Sequence, residues 1–523
     1  MRNTSRLSAV LCLCALGCGD QTEFAHTAVN ASEAPIALDS QLVFVDGDNQ
    51  RAYLLDVGRA RVEATTKQVK LAAGARLSER RLGVDHDEVL ILCAGQRGSA
   101  DLEEEQAALV AIDGSGKSRT YTLGTTPFNA LQQSDDGRYA ILYRTGKEIS
   151  RTLNNPNELV VVDLDLAPDD EHAVTRKTPD GLGHTLTRVI VSPTMLIAGH
   201  DRRLLVVLSA AEVTLFDLSH LDRRPTIVQL DETRLINPSQ VVFGTPNPTL
   251  YVRADSSDNI FMFRFEPHNN PGGNDFRPTI NPIGGGSGPR DMKLFGEGTD
   301  QRLVVVAENS SQALVIDPSS SKTTALKLSM PAQHIVLFVA TSPRDTQTRT
   351  RAVLYADNRN SVTFLDLNDL ANSPEDKLEV LALGNPITSV IQLPDEANVN
   401  ELVFLHAQGV TLLSLAERTL TPISASGALT GAIFDPQHKR LWVGPAQTPW
   451  VGTLDLDTGR TDEIRLDADI RLIVPMFKAK RLAVVHGSEI GYVTFLDLDN
   501  PTRDSALSVR GFFVSGSFDR SAP

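Results

Sequence analysis

Acidic and amide side chains recur in the sequence at short turns between two apolar segments. The first of these turns, Asp46-Gly47-Asp48-Asn49, has the opening spacing of a calcium-binding loop, but no bidentate glutamate closes it. Comparable turns occupy 255–259, 308–310 and 357–360. Such residues either start hairpin turns through side chain–backbone hydrogen bonds or together form an acidic, amide-rich binding rim. The candidate rim residues are Asp46, Asp48, Asp255, Asp258, Glu308, Asn309, Asp357 and Asn358.

Two glycine-rich segments invite a chemical interpretation that their surroundings do not favour. The run Gly114-Ser115-Gly116-Lys117-Ser118 looks like the end of a phosphate-binding loop, but Ala111 replaces the first glycine and a strand follows instead of a helix. The segment 284–288 does not complete a nucleophile elbow, because Pro289 stands where its last glycine should be. We read both as turns, and the sequence predicts no catalytic residue, no metal ligand set and no cofactor.

The elements that must position these turns belong to one repeated unit. Val-Thr-Leu-Phe-Asp-Leu at 213–218 returns as Val-Thr-Phe-Leu-Asp-Leu at 362–367 and 493–498. From Asp56 to Asp497 this position recurs over nine intervals and 441 residues, a mean period of 49. Each period divides into four short strands; in the seventh they are predicted at 334–340, 351–356, 361–367 and 378–383. Four strands in each of ten repeats predict an all-β fold, a β-propeller.

Two segments carry a family resemblance. Arg-Ala-Val-Leu-Tyr-Ala-Asp-Asn at 351–358, followed by Val-Thr-Phe-Leu-Asp, resembles the YVTN-type, lactonase-like propeller repeats of bacterial surface proteins. The turn Ser-Asp-Asp-Gly-Arg-Tyr-Ala at 134–140 is similar to theirs. The resemblance covers 36–518 and implies architecture without activity. We expect one large closed ring, with two smaller propellers in tandem as the alternative. Residues 267–289 are predicted to be a Gly/Pro-rich insertion and 519–523 a tail.

The first strand of each propeller blade lines the central channel, so its first polar residue is a candidate ligand contact. These residues give a predicted binding set at the channel mouth: Arg188, Gln240, Arg290, His334 and Arg471. The formal net charge of −15 makes nucleic acid an unlikely partner. Three arginines in so acidic a chain would form an anion-attracting mouth.

The N-terminus predicts the location of the protein. Arg2 and Arg6 precede an apolar run at 7–16, which is too short to span a membrane and is typical of a signal peptide. The next residues, Ala15-Leu16-Gly17-Cys18, resemble the lipobox of bacterial lipoproteins. That resemblance implies a signal peptide over 1–17, acylation of Cys18 with palmitate-type chains, a flexible tether over 18–35 and attachment to the outer membrane.

The predicted function is that of a non-enzymatic envelope lipoprotein. Its propeller would act as a binding or scaffold module for an envelope protein or a glycan, and its contact with the membrane would be the N-terminal lipid. The alternative is an extracytoplasmic propeller enzyme of the lactonase, hydrolase or lyase kind. A third possibility is a structural component of a larger envelope complex.

Overall fold

Short runs of valine, leucine, isoleucine and phenylalanine form strands along the whole chain, and these strands build ten four-stranded antiparallel sheets. The computed structural model describes residues 29–515 except 59–64, 96–105, 125–127, 146–156, 180–185, 232, 245–247, 270–271, 342–347, 369, 371–376, 394–398, 425–431 and 445–446. In every sheet the strands lie side by side in chain order. Each sheet is one blade, numbered here from the N-terminus.

The first five blades contain the following strands, from the inner edge outward: Ile36–Ala37, Gln41–Asp46, Arg51–Asp56 and Thr65–Lys70; Ala75–Arg80, Glu88–Cys93, Ala107–Asp113 and Ser118–Gly124; Ala130–Gln133, Tyr139–Tyr143, Leu159–Asp163 and Val174–Lys177; Leu186–Val191, Leu204–Ser209, Glu212–Asp217 and Thr226–Gln229; Pro238–Gly244, Thr249–Ala254, Asn259–Pro267 and Phe276–Gly284. Blade 4 also carries a small hairpin, Met195–Ile197 with His200–Arg202, between its first two strands.

The remaining five blades follow the same plan: Pro289–Phe295, Arg302–Ala307, Gln312–Asp317 and Lys322–Lys327; His334–Thr341, Thr348–Tyr355, Ser361–Asp366 and Leu378–Ala382; Ser389–Leu393, Glu401–His406, Gly409–Ser414 and Thr419–Ser424; Ala432–Asp435, Arg440–Val443, Trp450–Asp455 and Thr461–Arg465; Ile470–Met476, Arg481–His486, Tyr492–Asp497 and Leu507–Arg510. A 3₁₀ turn, Gly298–Asp300, precedes the second strand of blade 6.

The middle strands of a blade are apolar on both faces because each sheet is packed between two neighbours. All six residues of Leu204–Ser209 are buried, for example. The fourth strands lie at the outer edge, where four of the six residues of Lys322–Lys327 are exposed. Burial thus falls from the inside of each blade to the outside.

The ten blades close into a single ring. Ten hydrophobic clusters each combine residues of two adjacent blades, as Leu92 of blade 2 does with Leu142 of blade 3. The cluster that joins the ends contains Phe44 of blade 1 and Phe495 of blade 10. Ten interfaces for ten blades confirm the predicted closed ring, and they exclude the alternative of two propellers in tandem.

A clasp covers this seam. The last strand does not complete blade 1, because blade 1 already has four strands of its own. Phe512–Val514 instead pairs in parallel with Val29–Ala31 in a separate two-stranded sheet. The Phe512 ring packs on that of Phe44, with centroids 4.7 Å apart. Both ends of the described chain are therefore buried across the seam.

Two boundaries also differ from the sequence prediction. Part of the predicted tether is structured, since Val29 and Ala31 are buried in the seam. The predicted insertion over 267–289 contains the fourth strand of blade 5, whose nine residues pair with Asn259–Pro267. Its proline and glycine content concealed a strand that lies at a blade's outer edge, where prolines are tolerated. The described residues contain no helix long and apolar enough to span a bilayer.

Candidate functional site

The candidate site lies at one end of the channel, and strand direction determines which end. Because the four strands of a blade alternate in direction, the turns between second and third strands share one face with the loops that enter the first strands. We call this the mouth face. The predicted rim turns and the predicted channel residues both belong to it, and the structure brings most of them together over blades 4 to 7.

A carboxylate that the sequence analysis missed connects three of these blades. Asp291, in the first strand of blade 6, accepts a hydrogen bond from Gln240 Nε2 of blade 5 at 2.7 Å. Its other oxygen accepts one from the backbone NH of Ile335 in blade 7 at 2.8 Å. Asp291 therefore fixes the relative positions of the first strands of blades 5, 6 and 7. The sequence does not single out Asp291, because Arg290 precedes it as the first polar residue of the strand.

An irregular register at the start of the inner strands explains this displacement. In five blades a β-bulge inserts one residue near the start of the first strand; the inserted residues are Arg76, Thr187, Ser239, Arg290 and Arg471. Arg290 and Arg471 are thus bulged residues, whereas Arg188 and Gln240 follow the bulge. The predicted channel set mixes two positions, and it omits Arg76, which follows Ala75 in blade 2 as Arg471 follows Ile470.

The rim of blade 5 is held by an arginine. Arg253 Nη1 donates to Asp255 Oδ1 at 2.8 Å and to the carbonyl of Pro289 in blade 6 at 3.0 Å, while its Nε donates to Gln240 Oε1 at 3.2 Å. Burial raises the pKa of Asp255, but hydrogen bonds from Ser239 and Arg253 and the charge of Arg290 outweigh it, so the pKa lies below its usual range. Asp255 is therefore a stable carboxylate that remains half exposed on the rim.

Blades 6 and 7 meet through a second set of polar contacts. Gln333 Nε2 donates to Glu308 Oε1 at 2.8 Å, and Arg290 Nε lies 3.9 Å from the other oxygen of Glu308. His334 Nε2 is 3.3 Å from Asp357 Oδ2. These predicted residues are mutual neighbours, and Arg290, Glu308, His334 and Asp357 all keep more than a third of their side-chain surface exposed.

The imidazole of His334 also stacks on the ring of Tyr355, with centroids 4.8 Å apart and an interplanar angle of 27°. Burial, followed by the charges of Asp357 and Asp291, raises the pKa of Tyr355 to about 12. The Tyr355 hydroxyl therefore stays protonated at neutral pH, and the ring acts as a fixed platform for His334.

Three other rim residues make local contacts. Asp258 accepts a hydrogen bond from the backbone NH of Gly288 at 3.0 Å and so holds the loop between blades 5 and 6. A side chain at Gly288 would collide with Asn309, and its φ of +66° also favours glycine. Asn358 adopts a left-handed φ of +58° and donates its backbone NH to Ile387 of blade 8 at 3.0 Å. Asp258, Asn309 and Asn358 remain exposed on the mouth face.

Of the remaining predicted residues, Asp46, Asp48 and Arg471 lie apart from this group, whereas Arg188 of blade 4 lies at its edge. Asp46 is fully buried at the seam, where it accepts hydrogen bonds from the backbone NH groups of Asn30 and Asn49 at 3.0 Å each. Asp48 is exposed in the same turn. Arg188 donates to the carbonyl of Ser239 in blade 5 at 2.8 Å. Arg471 lies in blade 10, four blades from Arg290, so the structure does not bring the three predicted arginines together.

Cys18 lies outside the described residues. Within the described ranges Cys93 forms no disulfide, and it is fully buried in the second strand of blade 2. Among the described residues, no group of three or more His, Cys, Asp or Glu side chains is arranged to hold a metal ion. The mouth offers a mixed surface of guanidinium, carboxylate, amide and imidazole groups, which suits hydrogen-bonded recognition of a polar partner.

Comparison with known proteins finds similarity among solved structures and none at the level of sequence families. No protein-family model and no curated protein sequence matches it. Among solved structures it is similar to dihydro-heme d1 dehydrogenase NirN in complex with DHE, at 13% identity over 84% of this chain and 75% of that one, with a TM-score of 0.41. It is also similar to apo AztD from Citrobacter koseri, at 12% identity over 79% and 93% of the two chains, with a TM-score of 0.38.

Proposed function

We propose that the protein is a lipid-anchored envelope protein whose ten-bladed ring acts as a non-enzymatic binding platform. Its partner, a protein or a glycan, would bind at the mouth over blades 4 to 7. The observation that carries this proposal is the pair of hydrogen bonds from Gln240 and Ile335 to Asp291. These contacts hold three blades in register beneath an exposed polar rim.

Rigidity matters here because a polar surface binds tightly only when little ordering is needed on association. The rim side chains stand at the ends of packed strands, and neighbouring side chains already fix several of them. Arg290, Glu308, His334 and Asp357 are then available as partly exposed donors and acceptors. A glycan's hydroxyl groups or a polar protein surface offer matching groups.

The proposed lipid anchor would lie on the same side of the ring as the mouth face. Val29 follows Cys18 by eleven residues, and at ~3.3–3.6 Å per residue they reach less than about 40 Å. The clasp that begins at Val29 lies on the mouth face, because Asn30 binds Asp46 at the end of the second strand of blade 1. An acylated Cys18 would therefore keep the mouth face close to the membrane.

Lipid attachment is tested by labelling cells with palmitate and fractionating them. We expect the wild-type protein to incorporate label and to remain with the membranes, and Cys18→Ser to lose both properties. An unlabelled wild-type protein that fractionates as soluble would refute the anchor.

Binding is tested by affinity purification from detergent-solubilised envelopes. Wild-type protein should retain a defined protein or glycan in stable stoichiometry, and the double variant Arg290→Ala/His334→Ala should lose most of it. The matched control, Asp48→Ala, changes an exposed acid on the same face at the seam and should retain the partner. Equal recovery with all three proteins would refute binding at this mouth.

One observation favours the enzymatic alternative. The paired imidazole and carboxylate of His334 and Asp357 are the groups that general base catalysis uses, and they lie in a partly exposed position. The test is hydrolysis of p-nitrophenyl acetate by the purified protein. Catalytic turnover that is lost in His334→Ala would favour an extracytoplasmic hydrolase over the binding platform.

A further inference from the structure

A cleft at the outer side of the ring, between blades 9 and 10, has a charge that contrasts with the acidic chain. Its volume is about 690 Å³, and four arginines but only two acidic residues contribute to its walls. The lining residues that matter here are Arg440, Arg460, Asp462, Glu463, Arg465 and Arg503. In a chain of net charge −15 this is a concentrated positive region.

The four guanidinium groups differ in the ion pairs that they form. Arg460 pairs with Asp462 at 3.0 Å, and Arg503 pairs with Asp467 at 2.5 Å. In the part of the chain that the structure describes, Arg440 and Arg465 make no ion pair. Nη1 of Arg440 is moreover buried without a hydrogen-bond partner. A buried guanidinium nitrogen without an acceptor is costly and requires an explanation.

The corresponding arginine of the next blade shows what Arg440 lacks. Arg481 opposes Asp497 in the register of blade 10 and binds it at 3.0 Å. Arg440 opposes Asp455 in the same way. Oδ1 of Asp455 accepts hydrogen bonds from the backbone NH and the hydroxyl of Thr458, both at 2.8 Å. These hydrogen bonds, with a smaller contribution from the charge of Arg440, lower the pKa of Asp455. Among the described residues, however, Arg440 lacks the close ion pair that Arg481 makes, and it lines the cleft.

The same position between two other blades lacks this excess of positive charge. The cleft between blades 3 and 4 has a volume of about 620 Å³ and is lined by Arg138 together with Asp163 and Asp222. There Arg138 binds Asp163 at 2.9 Å. A cleft of this kind therefore arises from the packing of adjacent blades. Of the two clefts compared, only the one between blades 9 and 10 contains arginines without an ion pair to another described residue.

We propose that the cleft between blades 9 and 10 binds a small ligand carrying two phosphate or carboxylate groups. Arg440 and Arg465 each offer a planar guanidinium to one anionic group, with the fork geometry that suits phosphate and carboxylate oxygens. The volume exceeds that of a single ion and lies in the usual range for small-molecule pockets. Pro501 and Ile464 add apolar surface to the walls.

The two tryptophans of the chain make the site directly observable. Both Trp442 and Trp450 belong to blade 9, and the guanidinium of Arg440 lies 5.8 Å from the centre of the Trp442 ring. Tryptophan fluorescence therefore reports on this blade alone. A ligand that draws on Arg440 should change the emission of Trp442.

The experiment titrates the full protein with inorganic pyrophosphate and, in parallel, with citrate, at constant ionic strength, and follows tryptophan fluorescence and binding heat. We expect saturable binding of at least one probe; pyrophosphate alone would indicate a phosphorylated ligand and citrate alone a polycarboxylate. Arg465→Glu should raise the dissociation constant about tenfold or more, because it removes one charged contact and adds a repulsive one. Since Arg465 is exposed, its replacement should leave folding intact.

Arg277→Glu is the matched control, because it makes the same charge change at an exposed position of another fourth strand, in blade 5. It should change the dissociation constant less than about twofold, as expected for screened charges at a distance. Arg440→Gln should also weaken binding, and its thermal unfolding shows whether blade 9 remains folded. No saturable signal with either probe, or equal weakening by Arg465→Glu and Arg277→Glu, would overturn the proposal.

Discussion

In two regions of the mouth face, the turn between the second and third strands carries an acidic residue, which is buried in one region and exposed in the other. At the seam between blades 10 and 1, Asp46 is fully buried and holds the clasp strand through Asn30. Over blades 5 to 7, Asp255, Glu308 and Asp357 stay exposed beside arginine, glutamine and histidine. A turn acid is therefore structural where a second segment covers it, and it remains available for binding where none does.

The strongest test of the seam removes its largest aromatic contact. Phe512→Ala should lower the free energy of unfolding by about 3–5 kcal/mol, because it leaves a cavity beside Phe44. Phe513→Ala is the matched control, since the next side chain along the strand is less buried, and it should cost clearly less. Chemical denaturation measures both; equal losses would show that the clasp does not close the ring as described.

The comparison between buried and exposed turn acids predicts the next largest effect. Asp46→Ala should cost about 2–3 kcal/mol, because the backbone NH groups of Asn30 and Asn49 lose their buried acceptor. Asp357→Ala, at an exposed position of the rim, should stay within about 0.5 kcal/mol of the wild type. Thermal unfolding of the two variants compares them; a larger loss for Asp357→Ala would reverse the assignment of structural and binding roles.

Asp291 tests whether the rim over blades 5 to 7 is preorganised. Asp291→Ala should cost only about 1–2 kcal/mol in unfolding, because the half-buried carboxylate serves Gln240 and Ile335. It should nevertheless reduce partner recovery from envelopes more strongly than Asp258→Ala, which alters only one loop contact. Unchanged partner recovery with Asp291→Ala would show that the contacts of Asp291 with Gln240 and Ile335 are not needed for binding.

The smallest expected effect concerns pH at the seam. Burial raises the pKa of Glu33 to about 6 from an ordinary value of 4.5. The folded state therefore binds more protons than the unfolded state between these values, so this group's contribution to stability decreases as pH rises from 4.5 to 6. Glu33→Gln should remove that decrease and raise stability at pH 7 by about 1 kcal/mol, discounted because the group is only half buried. A wild-type pH profile that Glu33→Gln leaves unchanged would contradict this.

The sequence predicts the repeated elements well because their signals are local. The four strands of blade 7, expected at 334–340, 351–356, 361–367 and 378–383, are observed at His334–Thr341, Thr348–Tyr355, Ser361–Asp366 and Leu378–Ala382. Blade count and ring closure follow from the period and from the need to cover sheet edges. The fourth strand of blade 5 was missed because its two prolines and its glycine are typical of a loop.

The candidate site is less predictable because it depends on contacts between blades. The order of the predicted strands places Glu308 and Asp357 on one face. Only the packing of blades 5, 6 and 7 shows that Asp291 links Gln240 of blade 5 to Ile335 of blade 7. Arg290 is the inserted residue of its bulge, whereas Gln240 follows the inserted residue of the neighbouring strand. The alternation of polar and apolar residues in the sequence does not show this difference. Likewise, Asp46 and Asp255 look alike in sequence, and they differ because only Asp46 is covered by the clasp.

The binding platform is tested most directly by site-specific photo-crosslinking in intact cells. A benzophenone amino acid at Asn309 or Asn358 lies exposed on the rim, whereas one at Val84, which is 93% exposed, lies on the opposite face of the ring. If a partner binds at the mouth, both rim positions should give a discrete crosslinked species of constant mass, and Val84 should give none. The same species from all three positions, or none from either rim position, would contradict binding at the mouth.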